Sequence, residues 1–230
     1  MIEAEFDAVV ADYRRQHAQS VGFMSEDLDY FARYKIEELA KICRNEGFNP
    51  GSILDFGAGI GNSLKPLRNA FPKAAINCLD VSEESLKLCE QQGVSNMTTH
   101  AYDGKNLPFA DGTIDVAFTA CVFHHIPEAD HIALLSEIRR CLCANGRFIL
   151  FEHNPYNPLT QLAVKRCPFD EHAVLITAQE MKRRFEAAGF ATVKSRYHVF
   201  FPEKLSALRP MESILAWLPL GGQYSLDARP

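Results

Sequence analysis

The sequence has no long hydrophobic run, and its first residues do not resemble a leader. No uninterrupted apolar stretch approaches the ~20 residues that a helix needs to cross a bilayer. Residues 1–5 are acidic and are not followed by the apolar core of a signal peptide. These absences predict a cytoplasmic protein that makes no contact with a membrane.

Basic residues are also too few and too scattered for a nucleic-acid-binding surface. Lysine and arginine number 24 against 29 aspartates and glutamates, which gives a formal net charge of −5. A protein that holds a phosphate backbone or an anionic lipid surface carries a concentration of positive charge. We therefore expect a small-molecule partner and no nucleic acid, while the oligomeric state is left open.

Cysteine is present without a metal-binding pattern. The seven cysteines are scattered, and the closest two, Cys141 and Cys143, are separated by a single residue. Structural zinc sites use pairs of the C-x-x-C kind. Several of the cysteines lie in apolar runs, where cysteine behaves as a small hydrophobic residue. We expect core thiols and no metal site.

The chain divides into an N-terminal helical cap and an α/β domain. Its 230 residues, 47% hydrophobic and 23% charged, can bury a substantial core. Apolar residues at helical spacing predict helices over 3–18 and 26–46. Pro50-Gly51 then marks the boundary between a cap, 1–50, and the main domain, 51–230.

From residue 52 strands and helices alternate. Strands are predicted at 52–56, 75–80, 97–101, 114–120 and 146–152, and helices at 62–70, 83–92 and 128–142. Asn145-Gly146 is interpreted as the stop of the last helix. Such alternation predicts a three-layer, Rossmann-like α/β fold, with a mostly parallel sheet and helices on both faces.

The last third of the chain is more irregular. A long loop is predicted from 154 to 168, and Thr177-x-x-Glu180 is interpreted as the capping box of a helix that ends at Gly189. Strands follow at 190–201 and 223–228, with two short helical pieces, 203–209 and 210–217, between them. Without a crossover helix these strands should pair antiparallel. Segments 154–176 and 202–220 are regarded as inserts.

A glycine turn with an acid before it follows the first strand. Asp55 lies two residues before the run Gly57-Ala58-Gly59-Ile60-Gly61. Glycines permit a tight turn and close approach of backbone to ligand. A dinucleotide fingerprint requires G-x-G-x-x-G, but here the third glycine comes one residue early. We predict that Gly57, Ala58 and Gly59 bind a cofactor and that Asp55 receives an ammonium group.

Two further acids follow the next strands. Asp80 is positioned to accept the hydroxyls of a ribose, and Asp103 to accept an exocyclic amine. The alternatives are that Asp80 caps the following helix and that Asp103-Gly104 only forms a turn. An amine, a ribose and an exocyclic amine together indicate S-adenosylmethionine (SAM), and we place Val81, Gly104 and Cys121 beside these acids.

The motifs as a whole resemble those of the class I SAM-dependent methyltransferases. The carriers are Leu54-Asp55-Phe56-Gly57-Ala58-Gly59-Ile60-Gly61, Leu79-Asp80-Val81-Ser82, Leu107-Pro108-Phe109, Ile114-Asp115-Val116 and Val122-Phe123-His124-His125-Ile126. The chain is most similar to the small-molecule group typified by ubiquinone-biosynthesis enzymes (methyltransferase types 11 and 12). The resemblance implies a seven-stranded sheet with an antiparallel last strand, SAM as cofactor and S-adenosylhomocysteine (SAH) as product.

Histidines near two strand ends are the candidate catalytic bases. His124 and His125 follow the fourth strand and His153 follows the fifth, and histidine titrates near neutral pH. Structural roles compete with this interpretation for each of them. Lys35 lies in an apolar stripe and is expected to seek an anion; the SAM carboxylate, with Tyr13 beside it, is one such anion.

Other functions remain as alternatives. A noncatalytic SAM-binding module would keep the three acids and lack an acceptor pocket, and a nicotinamide-dependent oxidoreductase would share only the ribose acid. Asn154-Pro155-Tyr156 is similar to the N-P-P-Y signature of nucleic-acid methyltransferases, but it follows the fifth strand and not the fourth. We therefore expect methyl transfer to an oxygen or nitrogen of a small molecule.

Overall fold

One mixed sheet of seven strands organises the computed structural model, which describes residues 28–167, 170, 172–201 and 203–230. The strands are β1 (Ser52–Phe56), β2 (Ala75–Asp80), β3 (Met97–Ala101), β4 (Ile114–Ala120), β5 (Leu142–His153), β6 (Thr192–His198) and β7 (Gln223–Arg229). Their order is β3-β2-β1-β4-β5-β7-β6. The first five strands pair parallel, and β7 runs antiparallel to both of its neighbours.

Helices cover both faces of this sheet. They are α1 (Leu28–Asn45), α2 (Leu64–Ala70), α3 (Glu83–Gln91), α4 (His131–Cys141), α5 (Pro158–Arg166), α6 (Ala178–Ala187) and α7 (Glu212–Leu215). Short 3-10 segments occupy Phe123–His125, Glu128–Asp130 and Glu203–Met211. The predicted helix over 3–18 lies outside the described residues.

Alternation along the central strands divides the core into two halves. On β5, Phe148 and Leu150 face α4 and α6, whereas Ile149 and Phe151 face the half of the core that contains α1, α2 and α3. Both sets are fully buried. A parallel sheet that is covered on both faces needs apolar residues at successive positions, which explains why these strands appear in the sequence as continuous apolar runs.

Most of the predicted elements are confirmed, and two predictions are wrong. Asn145-Gly146 is not a helix stop, because α4 ends at Cys141 and β5 begins at the next residue. A Cβ atom on Gly146 would lie 2.8 Å from the Cys143 carbonyl oxygen, so this glycine serves a close backbone approach at the irregular start of β5. The loop predicted from 154 to 168 contains helix α5, whose N-cap, Asn157, accepts from the amides of residues 159 and 160.

The structure contains no disulfide bond and no membrane-spanning helix among the described residues. All seven cysteines are free thiols, and five of them are buried. Within the described ranges no helix combines the length and the apolar character that a bilayer crossing requires.

A buried ion-pair network fixes the end of α1 against the sheet. Arg147 of β5 is buried, and its guanidinium lies 2.6 Å from Glu46 Oε2 and 3.1 Å from Asp227 Oδ1. Arg229 of β7 also pairs with Glu46. Because Glu46 directly follows α1, this network determines where the helix that carries Lys35 lies against the sheet.

We expect Arg147→Ala to lower the free energy of unfolding by about 3 kcal/mol, because it leaves the half-buried carboxylate of Asp227 without its cation and opens a gap at a buried position. Urea denaturation followed by circular dichroism measures the change. Arg33→Ala is the control, since that arginine is exposed and lies 4.0 Å from Glu37, and it should change stability by less than about 0.5 kcal/mol. Equal effects of the two substitutions would contradict a structural role for the network.

Candidate functional site

A cavity of about 410 Å³ opens at the carboxyl ends of β1, β2, β4 and β5. Its wall includes every predicted site residue except Tyr13, which lies outside the described residues. These residues are Lys35, Asp55, Gly57, Ala58, Gly59, Asp80, Val81, Asp103, Gly104, Cys121, His124, His125 and His153. The strand order reverses between β1 and β4, and open α/β sheets bind ligands at such a crevice.

The glycine turn after β1 is shaped by close packing. Gly57 has φ +71°, and a Cβ atom there would lie 2.5 Å from a Val122 methyl group. Gly59 has φ +51°, and the space that its Cβ would occupy is open. The amides of Gly57 and Ala58 both donate to the Leu79 carbonyl oxygen. These amides are therefore not free to hold the pyrophosphate of a dinucleotide, in contrast to a phosphate-binding glycine loop.

Asp55 is a buried carboxylate that lacks a full set of partners. Its side chain is 2% exposed, and its Oδ2 atom has no hydrogen-bond donor among the described residues. Burial, followed by the nearby charge of Asp80, raises the pKa of Asp55 to about 7. A cationic or hydrogen-bond-donating ligand would compensate this carboxylate, so the site fits a cofactor with an ammonium group.

Asp80 is held in place by two backbone amides. Gly59 donates to its Oδ2 atom at 2.8 Å, and Ser82 donates to its Oδ1 atom at 3.0 Å. The helix cap of α3 is Ser82, which accepts from the Ser85 amide, so the alternative cap role for Asp80 is wrong. Asp80 is thereby fixed in the cavity wall as a hydrogen-bond acceptor.

Asp103 forms a turn at the rim of the cavity. Its Oδ1 atom accepts from the amides of Lys105 and Asn106, both at 2.8 Å, and its Oδ2 atom accepts from the Asn106 side chain. These bonds, those from Asn106 first, lower the pKa of Asp103 to about 2. The residue is therefore an ionised acceptor at the cavity rim, and its turn-forming role is present in the structure.

Lys35 extends from α1 into the cavity and meets Cys121. Its side chain is 7% exposed, and its Nζ atom lies 3.4 Å from Cys121 Sγ. Cys121 has φ +59°, a strained conformation for a residue other than glycine. Burial raises the pKa of this thiol, but His153 and then Lys35 outweigh it, and the net pKa is about 7. A lysine and a partly ionised thiol thus face each other at the end of β4.

Glu152 holds the turn that carries the paired histidines. Its Oε1 atom accepts from the amides of Val122 at 3.0 Å and Phe123 at 2.8 Å, and its Oε2 atom lies 2.6 Å from His124 Nδ1. Burial raises the pKa of Glu152, yet His124 lowers it further, to about 2. Glu152 therefore directly orients His124.

The histidines form one cluster, and their pKa values diverge. Burial lowers the pKa of His124, but the charges of Glu152 and Asp170 outweigh it and raise it to about 10. Burial and the neighbouring His124 lower the pKa of His125 to about 4. For His153 burial is outweighed by Cys121, and the pKa is raised. The ring centroids of His124 and His153 lie 5.2 Å apart.

Asp170 joins this cluster and carries no sequence signal of its own. Its Oδ1 atom lies 3.4 Å from the Nε2 atoms of both His124 and His125. Four residues after Asp170, the Val174 amide donates a hydrogen bond of 2.9 Å to the His124 carbonyl oxygen and so holds Val174 against the histidine turn. Tyr156 of the Asn154-Pro155-Tyr156 motif is 60% exposed and does not line the cavity.

Comparison with known proteins identifies a related domain in the centre of the chain. Residues 54–150 match the family described as "Methyltransferase domain". The malonyl-[acyl-carrier protein] O-methyltransferase of Geobacter sulfurreducens is 26% identical over 181 residues, 73% of this chain and 67% of that protein. The demethylmenaquinone methyltransferase of Thermotoga maritima is 31% identical over 109 residues, 47% of this chain and 46% of that protein.

Solved structures share the fold. A putative O-methyltransferase from Nostoc punctiforme superimposes with a TM-score of 0.66 at 20% identity, covering 93% of this chain and 60% of that one. The chain thus spans between about half and two thirds of the length of these proteins. Further relatives are named as a sarcosine/dimethylglycine N-methyltransferase and a small-subunit ribosomal RNA methyltransferase.

Proposed function

We propose that this chain, which belongs to the class I SAM-dependent methyltransferases, moves the methyl group of SAM to an oxygen or nitrogen of a small-molecule acceptor. The observation that carries the proposal is the single cavity that joins the strand-end carboxylates to the histidine cluster. One end of this cavity fits the donor, and the other presents groups that can hold an acceptor and move its proton.

The carboxylates are proposed to hold the donor from three sides. Asp55 receives the ammonium group, because its Oδ2 atom is buried and lacks a donor. Asp80 accepts the ribose hydroxyls, and Asp103, ionised at the rim, accepts the adenine amine. Gly57, Ala58, Gly59, Val81 and Gly104 line the same wall and allow the donor to lie against the backbone.

The transfer itself requires alignment more than activation. The S–CH₃ bond of the sulfonium breaks with its electron pair left on sulfur, a new O–CH₃ or N–CH₃ bond forms, and the acceptor gives up a proton. Holding the two molecules in line supplies much of the rate enhancement. His124, His125 and His153 border the acceptor end of the cavity and are proposed to bind the acceptor. Removal of its proton is proposed for His125 or His153, because His124, with its pKa raised to about 10, keeps its own proton at neutral pH.

A small acceptor is supported by volume and charge. The cavity of about 410 Å³ lies within the ~300–1,000 Å³ typical of small-molecule sites. The net charge of −5 does not favour a polyanionic substrate. The relative named as a ribosomal RNA methyltransferase aligns with 44% of this chain, and we propose that the present chain differs from it in substrate class.

The reaction is tested by measuring the SAH that forms from SAM in the presence of each member of a panel of acceptors. The panel contains a malonyl thioester, a reduced naphthoquinone and sarcosine, which represent oxygen, carbon and nitrogen acceptors named for relatives. We expect turnover with an oxygen or nitrogen acceptor. Tight SAH binding without turnover of any compound would instead favour the noncatalytic SAM-binding module, and turnover of RNA alone would contradict a small-molecule acceptor.

We expect SAH affinity to depend on the ionisation of Asp55. The free carboxyl has a pKa of about 7, whereas the bound ammonium requires the ionised form, so binding below pH 7 must release a proton. The affinity should therefore fall about fivefold between pH 7 and pH 6, because the ionised fraction of a carboxyl with this pKa falls from about one half to about one tenth, while the ligand amine stays protonated. Isothermal titration calorimetry at several pH values measures this.

Asp55→Asn should weaken SAH binding and abolish this pH dependence. Asp111→Asn is the matched control, because Asp111 is 80% exposed and outside the cavity wall. Unchanged affinity in Asp55→Asn would remove this residue from the donor site. NAD should not bind to any of these proteins, and measurable NAD affinity would favour the oxidoreductase alternative.

Lys35→Met should weaken SAH binding by about tenfold to a hundredfold, the ~1.5–3 kcal/mol of a charged hydrogen bond, if the lysine pairs with the carboxylate of the donor. The fold should be preserved, because methionine fills the same apolar stripe without a buried charge. Lys41→Met on the same helix is the control, since its side chain is 46% exposed. Calorimetry gives the affinities and thermal melts verify folding; an affinity equal to that of the wild type would leave Lys35 as a partner of Cys121 only.

A further inference from the structure

We infer that His124, His125 and Asp170 form a binding site for a divalent transition-metal ion, best suited to Zn²⁺, at the acceptor end of the cavity. Their ligand atoms, the imidazole nitrogens and a carboxylate oxygen, lie within 4.8 Å of one another, and all three residues line the cavity. The role of such an ion in holding the acceptor rests on the proposed methyltransferase function, whereas binding of the ion does not.

The distances within the cluster fit a metal ion. Asp170 Oδ1 lies 3.4 Å from His124 Nε2 and 3.4 Å from His125 Nε2. A charged N–H···O hydrogen bond is usually shorter, about 2.7–2.9 Å. Zinc binds nitrogen and oxygen ligands at about 2.0–2.2 Å, and the edge of a tetrahedron with such bonds is about 3.3–3.5 Å. The two equal separations therefore match neighbouring ligands of one ion.

The outer contacts of the cluster also resemble those of a metal site. Glu152 Oε2 lies 2.6 Å from His124 Nδ1, so Nδ1 carries a proton toward Glu152 and the Nε2 atom faces Asp170. A carboxylate behind the imidazole is the usual means of orienting a metal-binding histidine. A lone pair and a carboxylate oxygen that face each other need a cation between them.

The local backbone fixes the three ligands relative to one another. His124 and His125 belong to one 3-10 turn, whose amides at residues 122 and 123 donate to Glu152. The bond from the Val174 amide to the His124 carbonyl oxygen brings the Asp170 segment to this turn. The ligands thus come from a fixed turn and from a segment bonded to it.

Two histidines and one carboxylate leave coordination positions free. Such donor sets occur in catalytic zinc and non-haem iron sites, where a substrate or water completes the shell. The remaining positions here face the cavity that holds the donor. An acceptor with a hydroxyl or carboxylate oxygen would be anchored there, with His153 beside it. The other possible cation in the gap is a proton on His124, and this is the outcome that the experiment must distinguish.

The test uses the full chain, stripped of metal with a chelator that is then removed, and Co²⁺ as a visible probe that takes the place of Zn²⁺. We expect one Co²⁺ to bind per chain and to give a visible absorbance, which disappears when Zn²⁺ displaces the Co²⁺. Asp170→Asn and His125→Gln should each weaken Co²⁺ binding at least about tenfold, and Glu152→Gln should weaken it about 10- to 100-fold, as loss of a supporting carboxylate does.

His172→Gln is the matched control, because His172 is exposed and lies two residues from Asp170. It should bind Co²⁺ as the wild type does. SAH affinity, measured on the same samples, should be unchanged in Asp170→Asn, which shows that the variant is folded. Should Asp170→Asn fail to fold, His125→Gln provides the same comparison.

The outcomes separate the two proposals. Absence of Co²⁺ binding by the wild type, or Co²⁺ affinity unchanged by Asp170→Asn or His125→Gln, would overturn the metal site and leave a proton between His124 and Asp170. If SAH binds to such a protein, the proposed function stands. Co²⁺ binding without SAH binding would instead support the metal site and contradict the methyltransferase assignment.

Discussion

Negative charge buried at the carboxyl edge of the sheet is the constraint on which the rest of this site depends. Asp55 and Glu152 are each 2% exposed, and Asp170 lies beside Glu152 across the His124 ring. A buried carboxylate is costly unless a cation or several donors compensate it. Glu152 has two amides and His124, whereas Asp55 has an unpartnered oxygen next to Asp80. The protein alone is therefore electrostatically incomplete at one end of its cavity.

The frame around these charges explains how they are tolerated. β1 and β4 lie at the centre of the sheet, with fully buried apolar side chains on both faces, such as Leu54 and Phe118. Packing of this kind resists the relaxation that would bring water to a buried carboxylate. The network of Arg147 and Glu46 holds the C-terminal end of α1 against β5 and β7. Stability supplied by the core thus maintains an arrangement that is unfavourable by itself.

The parts of the fold that local rules determine could be predicted from sequence. The buried strands appear as apolar runs that end in an acid or a glycine, so β1, β2 and the positions of Asp55 and Asp80 followed directly. Helix α5 was missed because prolines in its neighbourhood were interpreted as a loop, although Asn157-Pro158 is itself a good helix start. The local signal for the start of α5 was therefore present in the sequence, but the nearby prolines were given more weight.

Long-range contacts explain the remaining differences. Glu152 and His153 are neighbours in sequence, but adjacent residues of a strand point to opposite faces. The partner of Glu152 is instead His124, 28 residues away. Asp170 belongs to the predicted insert 154–176, and a bond from the Val174 amide to the His124 carbonyl oxygen holds this insert against the histidine turn. Neither contact has a periodicity that a sequence could reveal.

The residues that could be predicted from sequence are mainly those proposed to bind the donor, and the contacts that could not be predicted lie mainly at the acceptor end. The family match covers residues 54–150, which include the carboxylates proposed to hold the donor. It ends before His153 and Asp170, which line the cavity, and before Glu152, which orients His124. The relatives are named for different acceptors, so we expect them to share the residues at the donor end more than those at the acceptor end. In this chain a hydrogen bond from the Val174 amide to the His124 carbonyl oxygen joins the segment after α5 to the histidine turn. We therefore expect a substitution in the segment after α5 to alter acceptor binding and the geometry of the histidines together, and to leave the affinity for the donor unchanged.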